Sequence, residues 1–498
     1  MATRTIPEEL LQQIFQHIDS TYDFKPQFGF AMNCEPMRVR TLRNICLASR
    51  ACHRIASPIL YKKFLHFVQR PGLLHRNQRS ILYLKSILSN PQNALALEHL
   101  QLPFQFRYRD TRDGPRGFCD LMADRSLRPE QKARFKWIVQ VIISRSDGND
   151  LGKLLKQECQ AAVLAMILIH CPNITKLEMR MPVPSPSGVF LYCLTYWPFS
   201  PPARAALTSG KAHTNPVTGV WHPPVLRALK EATLIDPGRN TDVSLEVKQW
   251  MLNLMSLPTM SKMRVGGLGV GFGPITEEFP NITSLQLNDW QLPIPYLNDL
   301  LKSCTCLSTF RLGWYDYLYK PISTPWEEES LTDVTHVLLK NVTGLNSFTV
   351  KDSRRACTDT DGRFVRVLGR PMGLMENLTY LSTRESNIWG YDSGTSFFDV
   401  LPTLLVELEI CRSGLDLLVG STVDQYRNWR IRHDVDLRTL ALRSQYQDLR
   451  RITMTYENSD LAPQIELDEQ LEERGWNLTV IPTEGDVEWH TLERAPQA

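Results

Sequence analysis

A short apolar motif recurs along most of the 498-residue chain and constrains its fold more than any other feature. Each copy has two residues between its first and second apolar positions, and one residue between its second and third. Residues two apart in a strand point to the same face, so the end of each copy predicts a short strand with one buried face. Ten copies begin at Leu97, Ile174, Leu229, Met260, Ile282, Leu307, Leu345, Leu378, Leu405 and Leu449.

Helical segments separate several of these predicted strands. Apolar residues at helical spacing predict helices over 153–170, 294–302 and 331–340, each just before a copy of the motif. Strands and helices that alternate in one direction form a parallel sheet. Because the copies start 22 to 77 residues apart, we predict an irregular α/β solenoid with a parallel sheet. A non-repetitive α/β domain is the alternative.

Five Asn-x-Thr sequences accompany the predicted strands. Their asparagines are Asn173, Asn281, Asn341, Asn377 and Asn477. Because Asn and Thr side chains can bond the backbone that a tight turn leaves unpaired, we interpret these sequences as structural.

The N-terminal residues 5–67 predict a bundle of short helices instead of strands. Pro7 is suited to the first helical turn, and an apolar stripe follows it. Thr41 and Ser49 are predicted caps of a second and a third helix, and Pro58 is predicted to end the third, before a further turn. About 60 residues bury little apolar surface, so such a bundle needs a partner or an attached domain.

Three segments of this region match a known pattern in order and spacing: Ile6–Phe15, Thr41–Arg50 and Pro58-Ile59-Leu60-Tyr61. They resemble the F-box of fungal F-box proteins, and the recurring motif resembles the leucine-rich repeats that such proteins often carry. The resemblance implies an all-α F-box-like domain at 1–70, with a long insert at 19–40. An irregular leucine-rich-repeat-like solenoid follows at 71–498. An ordinary amphipathic helical cap is the alternative for the N-terminal region.

The resemblance also implies partners. The F-box-like stretch would dock on the Skp adaptor of a cullin-containing ubiquitin ligase, and the repeats would hold a protein substrate. The alternative function is a scaffold that binds the Skp adaptor without ubiquitin ligase activity. The implied adaptor-binding residues are Ile6, Pro7, Leu10, Leu11, Ile14, Phe15, Ile18, Leu42, Ile45, Cys46 and Leu60.

Two long intervals, 103–150 and 181–224, predict insertions in the solenoid. The second is rich in proline and aromatic residues and contains no Asp or Glu. It is either a recognition loop or a loop packed on the flank of the solenoid. Its candidate substrate-binding residues are Tyr192, Tyr196, Trp197 and Trp221. The basic and aromatic start of the first interval is more typical of a solvated loop than of nucleic-acid binding.

Composition excludes several other classes of protein. Eleven scattered cysteines without a Cys-x-x-Cys pair predict reduced thiols in the cytoplasm or nucleus. We interpret Cys304 and Cys306 as buried repeat positions and expect no metal site. No apolar run approaches the length of a membrane span, and no signal peptide is expected. Residues 478–481 predict a final strand. The acidic end, 457–498, predicts a solvated terminal helix rather than an interaction tail.

A glycine-rich stretch at 266–273 is the one segment that invites an enzymatic reading. It lacks the Gly-Lys-Ser/Thr ending of a phosphate-binding loop, and no convincing helix follows it. We therefore favour a flexible connection, expect no cofactor, and predict that the chain is not an enzyme. An enzyme that uses this loop is the competing hypothesis.

Overall fold

The computed structural model describes residues 6–21, 34–65, 83, 86–87, 90–101, 129, 167–168, 170–180, 213–214, 221–222, 226–235, 251–266, 275–288, 294–314, 331–352, 368–384, 388, 397–412, 439–456, 469–482 and 488–494. The chain forms two compact units, Met1–Met260 and Ser261–Ala498. The domain boundary between residues 70 and 71 stays a prediction.

Three α-helices open the first unit: α1 at Glu8–Thr21, α2 at Cys34–Ala48 and α3 at Arg50–Tyr61. Ser49 caps α3 as predicted, because its Oγ accepts a hydrogen bond from the backbone N–H of Cys52 at 3.0 Å.

Two of the predicted helix bounds are wrong. The second helix begins at Cys34 instead of after Thr41, and it therefore takes in the end of the predicted insert. Pro58 lies inside α3, and residues 59–61 complete that helix instead of beginning another turn. A side chain of α2 stabilises the last turn of α3, because Nη2 of Arg38 donates to the backbone oxygen of Ile59 at 3.2 Å.

A parallel sheet of four strands follows in the first unit. The strands are β1 at Lys63–Leu65, β2 at His99–Gln101, β3 at Lys176–Arg180 and, after a short hairpin, β6 at Glu231–Ile235. They pair in that order, each parallel to the next. The hairpin lies in the predicted insertion 181–224 and pairs β4, His213–Thr214, with β5, Trp221–His222. The sequence reasoning did not predict β1 or this hairpin.

Short helical elements lead into these strands. Helix α4, Pro91–Ala96, precedes β2, and Oδ1 of Asn90 caps it by accepting from the N–H of Gln92 at 3.1 Å. Pro91 occupies the start of α4, where no backbone N–H is needed. Of the helix predicted at 153–170, the described residues 167, 168 and 170 are helical.

The second unit contains seven more parallel strands, so the two units together contain eleven. Parallel strands with helices between them confirm the predicted α/β solenoid-like arrangement. Each strand pairs in register with the next along the chain. The strands are β7 at Lys262–Gly266, β8 at Ser284–Asn288, β9 at Thr309–Trp314, β10 at Ser347–Asp352, β11 at Tyr380–Arg384, β12 at Glu407–Arg412 and β13 at Arg451–Tyr456.

Helices connect several of these strands. The predictions for 294–302 and 331–340 are confirmed by α5, Ile294–Ser303, and α6, Leu331–Asn341. Each buries one apolar face, so each packs as an amphipathic helix should. The remaining short helices are α7 at Phe397–Val400, α8 at Glu469–Glu473 and two 3-10 turns at Arg370–Leu374 and Ser444–Tyr446.

The C-terminal end adds two antiparallel strands. The strand predicted at 478–481 is confirmed within β14, Trp476–Pro482. The prediction of a solvated terminal helix is wrong over β15, Glu488–Arg494. This strand lies between β13 and β14 and pairs with both. Backbone pairing on two sides fixes β15 as a strand in spite of its charged side chains.

The recurring motif supplies the buried face of the sheet. All ten motif copies contribute to a strand of the parallel sheet. Every described side chain at a motif position is at most 3% exposed, including Thr383, while Leu102 lies outside the described residues. Because the three positions of a copy lie on the turn and on one strand face, the motif predicts both the strand and its register.

A repeated backbone contact stacks the turns that precede the strands. The carbonyl of Glu98 accepts from the N–H groups of Thr175 and Lys176, at 2.8 and 3.0 Å. Equivalent carbonyls that bond two consecutive N–H groups belong to Lys62, Thr175, Ser261, Thr283, Ser308, Asn346, Thr379 and Val406. The turns therefore keep one geometry although the connections between them differ in length.

The Asn-x-Thr sequences at Asn173 and Asn377 have the structural role that was predicted for all five. Thr175 Oγ1 also donates to the carbonyl of Glu98 at 3.2 Å, and Thr379 Oγ1 donates to that of Asn346 at 3.1 Å. The amides of Asn173 and Asn377 donate to Leu95 and Thr343 oxygens at 2.8 and 2.7 Å. These side chains satisfy turn carbonyls of the preceding repeat.

Of Cys304 and Cys306 in the second unit, only Cys304 is buried as predicted. Cys304 is buried at a repeat turn, and its burial raises the pKa of the thiol to about 12. Cys306 is exposed, so the prediction that both are buried is wrong. The turn between α5 and β9 points successive side chains in different directions, and the second thiol faces solvent.

Candidate interaction surfaces

The three N-terminal helices share a small apolar core. Phe15 of α1, Leu42 of α2, and Ala56 and Ile59 of α3 are buried together. A ring of partly buried side chains packs around them: Leu11, Ile18, Ile45, Cys46, Cys52, Ile55 and Leu60. With four buried apolar side chains among those that the structure describes here, this core is small for three helices, as expected for a unit of this length.

A buried ion cluster ties the three helices to the first strand. Nε of Arg38 donates to Oδ1 of Asp19, and these side chains are 1% and 12% exposed. Nζ of Lys63 lies 3.5 Å from the other carboxylate oxygen of Asp19. Together with the bond from Arg38 to Ile59, the cluster joins α1, α2, α3 and β1. Sequence reasoning missed this cluster because Asp19 and Arg38 both lie in the predicted insert, 19–40, near its two ends.

An exposed apolar row runs along α1. Leu10 and Ile14 lie four residues apart on one face of α1, and Ile6 lies two residues before this helix; Ile6, Leu10 and Ile14 are 56%, 48% and 49% exposed. Val39 and Leu47 of α2 are exposed as well, Leu47 at 76%. These five make up most of the eight large apolar side chains that are exposed among the described residues. Such a concentration is typical of an interaction surface.

The predicted adaptor-binding residues fall into three groups. Ile6, Pro7, Leu10 and Ile14 are exposed. Phe15 and Leu42 lie in the core and support this surface from behind. The others are partly buried: Leu11, Ile18, Ile45, Cys46 and Leu60. Burial, and then the nearby Cys52, raises the pKa of Cys46, so this thiol stays uncharged beside the core.

The helices connect firmly to the first strands. The carbonyl of Lys62 accepts from the N–H groups of Glu98 and His99 at 2.9 and 3.1 Å. The side chains of Lys62 and Glu98 also form an ion pair at 3.2 Å. The hydroxyl groups of Tyr61 and Ser86 lie 2.5 Å apart. The helices are therefore held by hydrogen bonds to the start of the sheet, beyond the chain connection itself.

The outward face of β2, β3 and β6 carries a compensated charge network. Oε1 of Glu178 lies 2.9 Å from Nζ of Lys176 and 3.2 Å from Nε2 of His99. Its Oε2 accepts from Nε2 of Gln101 at 3.1 Å, and Lys176 also reaches Glu231 at 3.2 Å. Burial alone raises the pKa of Glu178, but the bonds from His99 and Lys176 outweigh it and lower the pKa to about 2. The network stabilises the ionised carboxylate.

This lowered pKa predicts acid-sensitive stability for the first unit. A carboxylate whose pKa is lower in the folded state contributes fully above its unfolded pKa, near 4.5, and loses that contribution as the pH falls toward 2. We expect Glu178→Gln to lower the free energy of unfolding by about 2–3 kcal/mol at pH 7 and by much less at pH 2.5. Urea unfolding of both proteins at the two pH values measures this difference. An equal loss at both would contradict the role of the network.

The predicted substrate-binding residues cannot be placed as a group. Tyr192, Tyr196 and Trp197 lie outside the described residues, as do most of 103–150 and 181–224. Only the backbone of Trp221 is described, in β5. The glycine-rich stretch is described only at Gly266, which ends β7.

Metal-binding clusters and membrane-spanning helices do not occur within the described ranges. No group of three His, Cys, Asp or Glu side chains there is arranged to hold a metal ion. None of the helices described is both long and apolar enough to cross a membrane. In comparisons with known proteins, no family model matches the chain, and no curated protein matches it.

Proposed function

We propose that this chain is the substrate-recognition adaptor of a Skp–cullin–F-box type ubiquitin ligase. The N-terminal helices dock on the Skp adaptor, and the α/β solenoid holds a protein substrate. Transfer of ubiquitin takes place on the other subunits, so the chain itself performs no covalent chemistry.

The exposed apolar row on α1 is the observation that carries this proposal. Ile6, Leu10 and Ile14 belong to the segments that resemble an F-box, and they are solvent-facing on a bundle with a small core. Each of these side chains is about half exposed, so burying it against a partner contributes about 1 kcal/mol, half of what a fully exposed side chain would gain. A docked adaptor would therefore stabilise a unit whose own core is small.

The connection between helices and sheet supports the mechanism. A ligase adaptor works by proximity: it raises the effective concentration of a substrate lysine near a reaction catalysed elsewhere. This requires that the docking end and the first repeats keep a fixed geometry. The ion cluster at Asp19 and the bonds at Lys62 provide such a connection within the first unit.

Co-purification tests the proposal and separates it from the scaffold alternative. The chain is co-expressed with its cognate Skp adaptor and cullin, and the complex is isolated through a tag on the chain. We expect all three proteins in one complex, which transfers ubiquitin in a reconstituted reaction. Skp adaptor without cullin would favour a scaffold, and capture of neither would contradict the proposal.

A further inference from the structure

The exposed side of α2 carries arginine and apolar side chains together. Arg40, Arg43 and Leu47 are exposed, and their spacing puts them on the side of α2 away from Leu42, which lies in the core. Val39 lies four residues before Arg43, so it adjoins them, and it is exposed as well. We call Val39, Arg40, Arg43 and Leu47 the α2 face.

The arginines of the α2 face have no carboxylate partner within the part of the chain that the structure describes. Two other arginines of these helices do have one, since Arg38 pairs with Asp19 and Arg54 pairs with Glu8 of α1. No ion pair among the described residues includes an arginine of the α2 face. Residues 36–61 contain no Asp or Glu, so the local sequence supplies none. The positive charge of this face is therefore uncompensated there.

This arrangement is unfavourable in the isolated chain. Arg40 and Arg43 are three residues apart on one helix, where like charges destabilise the helix. Arg50 is exposed at the first position of α3, the positive end of that helix, and no acidic residue occupies its first turn. Leu47 is 76% exposed and leaves apolar surface in water. A partner that brings carboxylates and apolar surface would make all of these positions favourable.

The pattern of the α2 face favours a protein over other anionic partners. A nucleic acid offers phosphates, but its backbone has no apolar surface to cover Leu47. An anionic membrane binds helices that have one continuous apolar side and a separate cationic side. On the α2 face the two kinds of side chain alternate instead, because Val39, Arg43 and Leu47 follow each other in steps of four residues. Arginine beside apolar residues is typical of protein interfaces.

We propose that the Skp adaptor docked on the N-terminal helices presents an acidic and partly apolar surface to the α2 face. The inference rests on the proposed function for the identity of the partner, and it adds the chemistry of a contact surface separate from α1. A carboxylate binds a guanidinium group through two parallel hydrogen bonds, so Arg40 and Arg43 each bind an Asp or Glu of the adaptor. Leu47 supplies the apolar contact beside them.

Association kinetics of the Skp adaptor with the full chain test the inference. The chain is immobilised through a tag, and biolayer interferometry follows adaptor binding between about 50 and 500 mM salt, where screening increasingly shortens the reach of exposed charges. We expect the association rate to fall about tenfold over this range. Arg40→Gln with Arg43→Gln should lower the rate at low salt by about tenfold and make it nearly independent of salt, because peripheral charges act mainly on association.

Leu47→Ala tests the apolar part of the contact separately. It should raise the dissociation rate by about fivefold and leave the association rate nearly unchanged, because apolar contact forms after the first encounter.

A matched variant controls for the change in net charge. Lys302 of α5 and Lys340 of α6 are exposed, and Lys302→Gln with Lys340→Gln should change the association rate by less than about twofold. Arg40→Gln with Arg43→Gln removes a like-charge pair, so that variant should melt no lower than the unmodified chain, which excludes unfolding as the cause.

The outcomes separate this inference from the proposed function. Adaptor binding whose rate does not change with salt, or that both double variants slow equally, would overturn the inference and leave the proposed function standing. An adaptor that does not bind the unmodified chain would contradict both. Vesicles of anionic phospholipid, or a second copy of the chain, that bind through Arg40 and Arg43 in place of the adaptor would also overturn the inference.

Discussion

Asp19→Ala should destabilise the N-terminal helices by about 3–5 kcal/mol, because it leaves Arg38 buried without its carboxylate. Arg38 is 1% exposed, and water cannot replace the lost partner without opening the bundle. Lys63 loses the same carboxylate. We expect loss of cooperative helical structure at the N-terminus, measured by hydrogen exchange of α1 and α2.

An ion pair on the surface of the same helices provides the control. Glu8 of α1 pairs with Arg54 of α3, and both side chains are more than half exposed. Glu8→Ala should therefore cost no more than about 1 kcal/mol. Replacing the buried pair with apolar residues, as in Asp19→Leu with Arg38→Met, should restore most of the lost stability. If Asp19→Ala and Glu8→Ala have equal effects, Asp19 and Arg38 do not form a buried pair.

Phe348→Ala should destabilise the second unit by about 3–5 kcal/mol. Phe310 and Phe348 are in register on β9 and β10, both fully buried, with ring centroids 5.9 Å apart and planes 2° from parallel. The change removes a large buried side chain and one half of this stacked pair. Because each strand contacts only its neighbours in the sheet, the loss should weaken β9–β11 together.

Urea unfolding measures the effect of Phe348→Ala, and an exposed leucine is the matched control. Leu374 is 63% exposed, so Leu374→Ala should change the free energy of unfolding by less than about 0.5 kcal/mol. A double-mutant cycle with Phe310→Ala should give a coupling energy of about 0.5–1.5 kcal/mol. Independent effects of the two phenylalanines would argue against their stacking.

The parts of the fold that sequence reasoning predicted are those encoded by local apolar periodicity. Leu285 and Leu287, two apart on β8, mark a strand and its buried face without knowledge of the partner strands. Helices α5 and α6 were predicted in the same way, from apolar residues at helical instead of strand spacing. In both cases the buried side chains themselves carry the signal.

The missed features depend on contacts between distant residues. Asp19 follows Phe15 by four residues, and Arg38 precedes Leu42 by four, so both continue buried helix faces. A charged residue at such a position signals a buried ion pair only when its partner is known. Strand β1 is three residues long, and β15 is acidic, so pairing with neighbours decides both.

The candidate sites also differ in how far the local sequence predicts them. The apolar row on α1 was visible in the sequence as part of a resemblance, although only the packed helices distinguish exposed Leu10 from buried Phe15. The charge network at Glu178 was not visible, because His99 and Glu178 are 79 positions apart in the chain. The pairing of β2 with β3 brings them together.

Binding of the Skp adaptor to surface variants of α1 tests the central claim most directly. Leu10→Glu with Ile14→Glu changes two side chains that are 48% and 49% exposed, so the bundle should keep its fold. The matched control is Leu374→Glu with Leu404→Glu, at positions 63% and 46% exposed in the second unit. We predict that the first double variant loses adaptor binding in a pull-down and that the second binds like the unmodified chain. Undiminished binding by the α1 variant would contradict docking through this row.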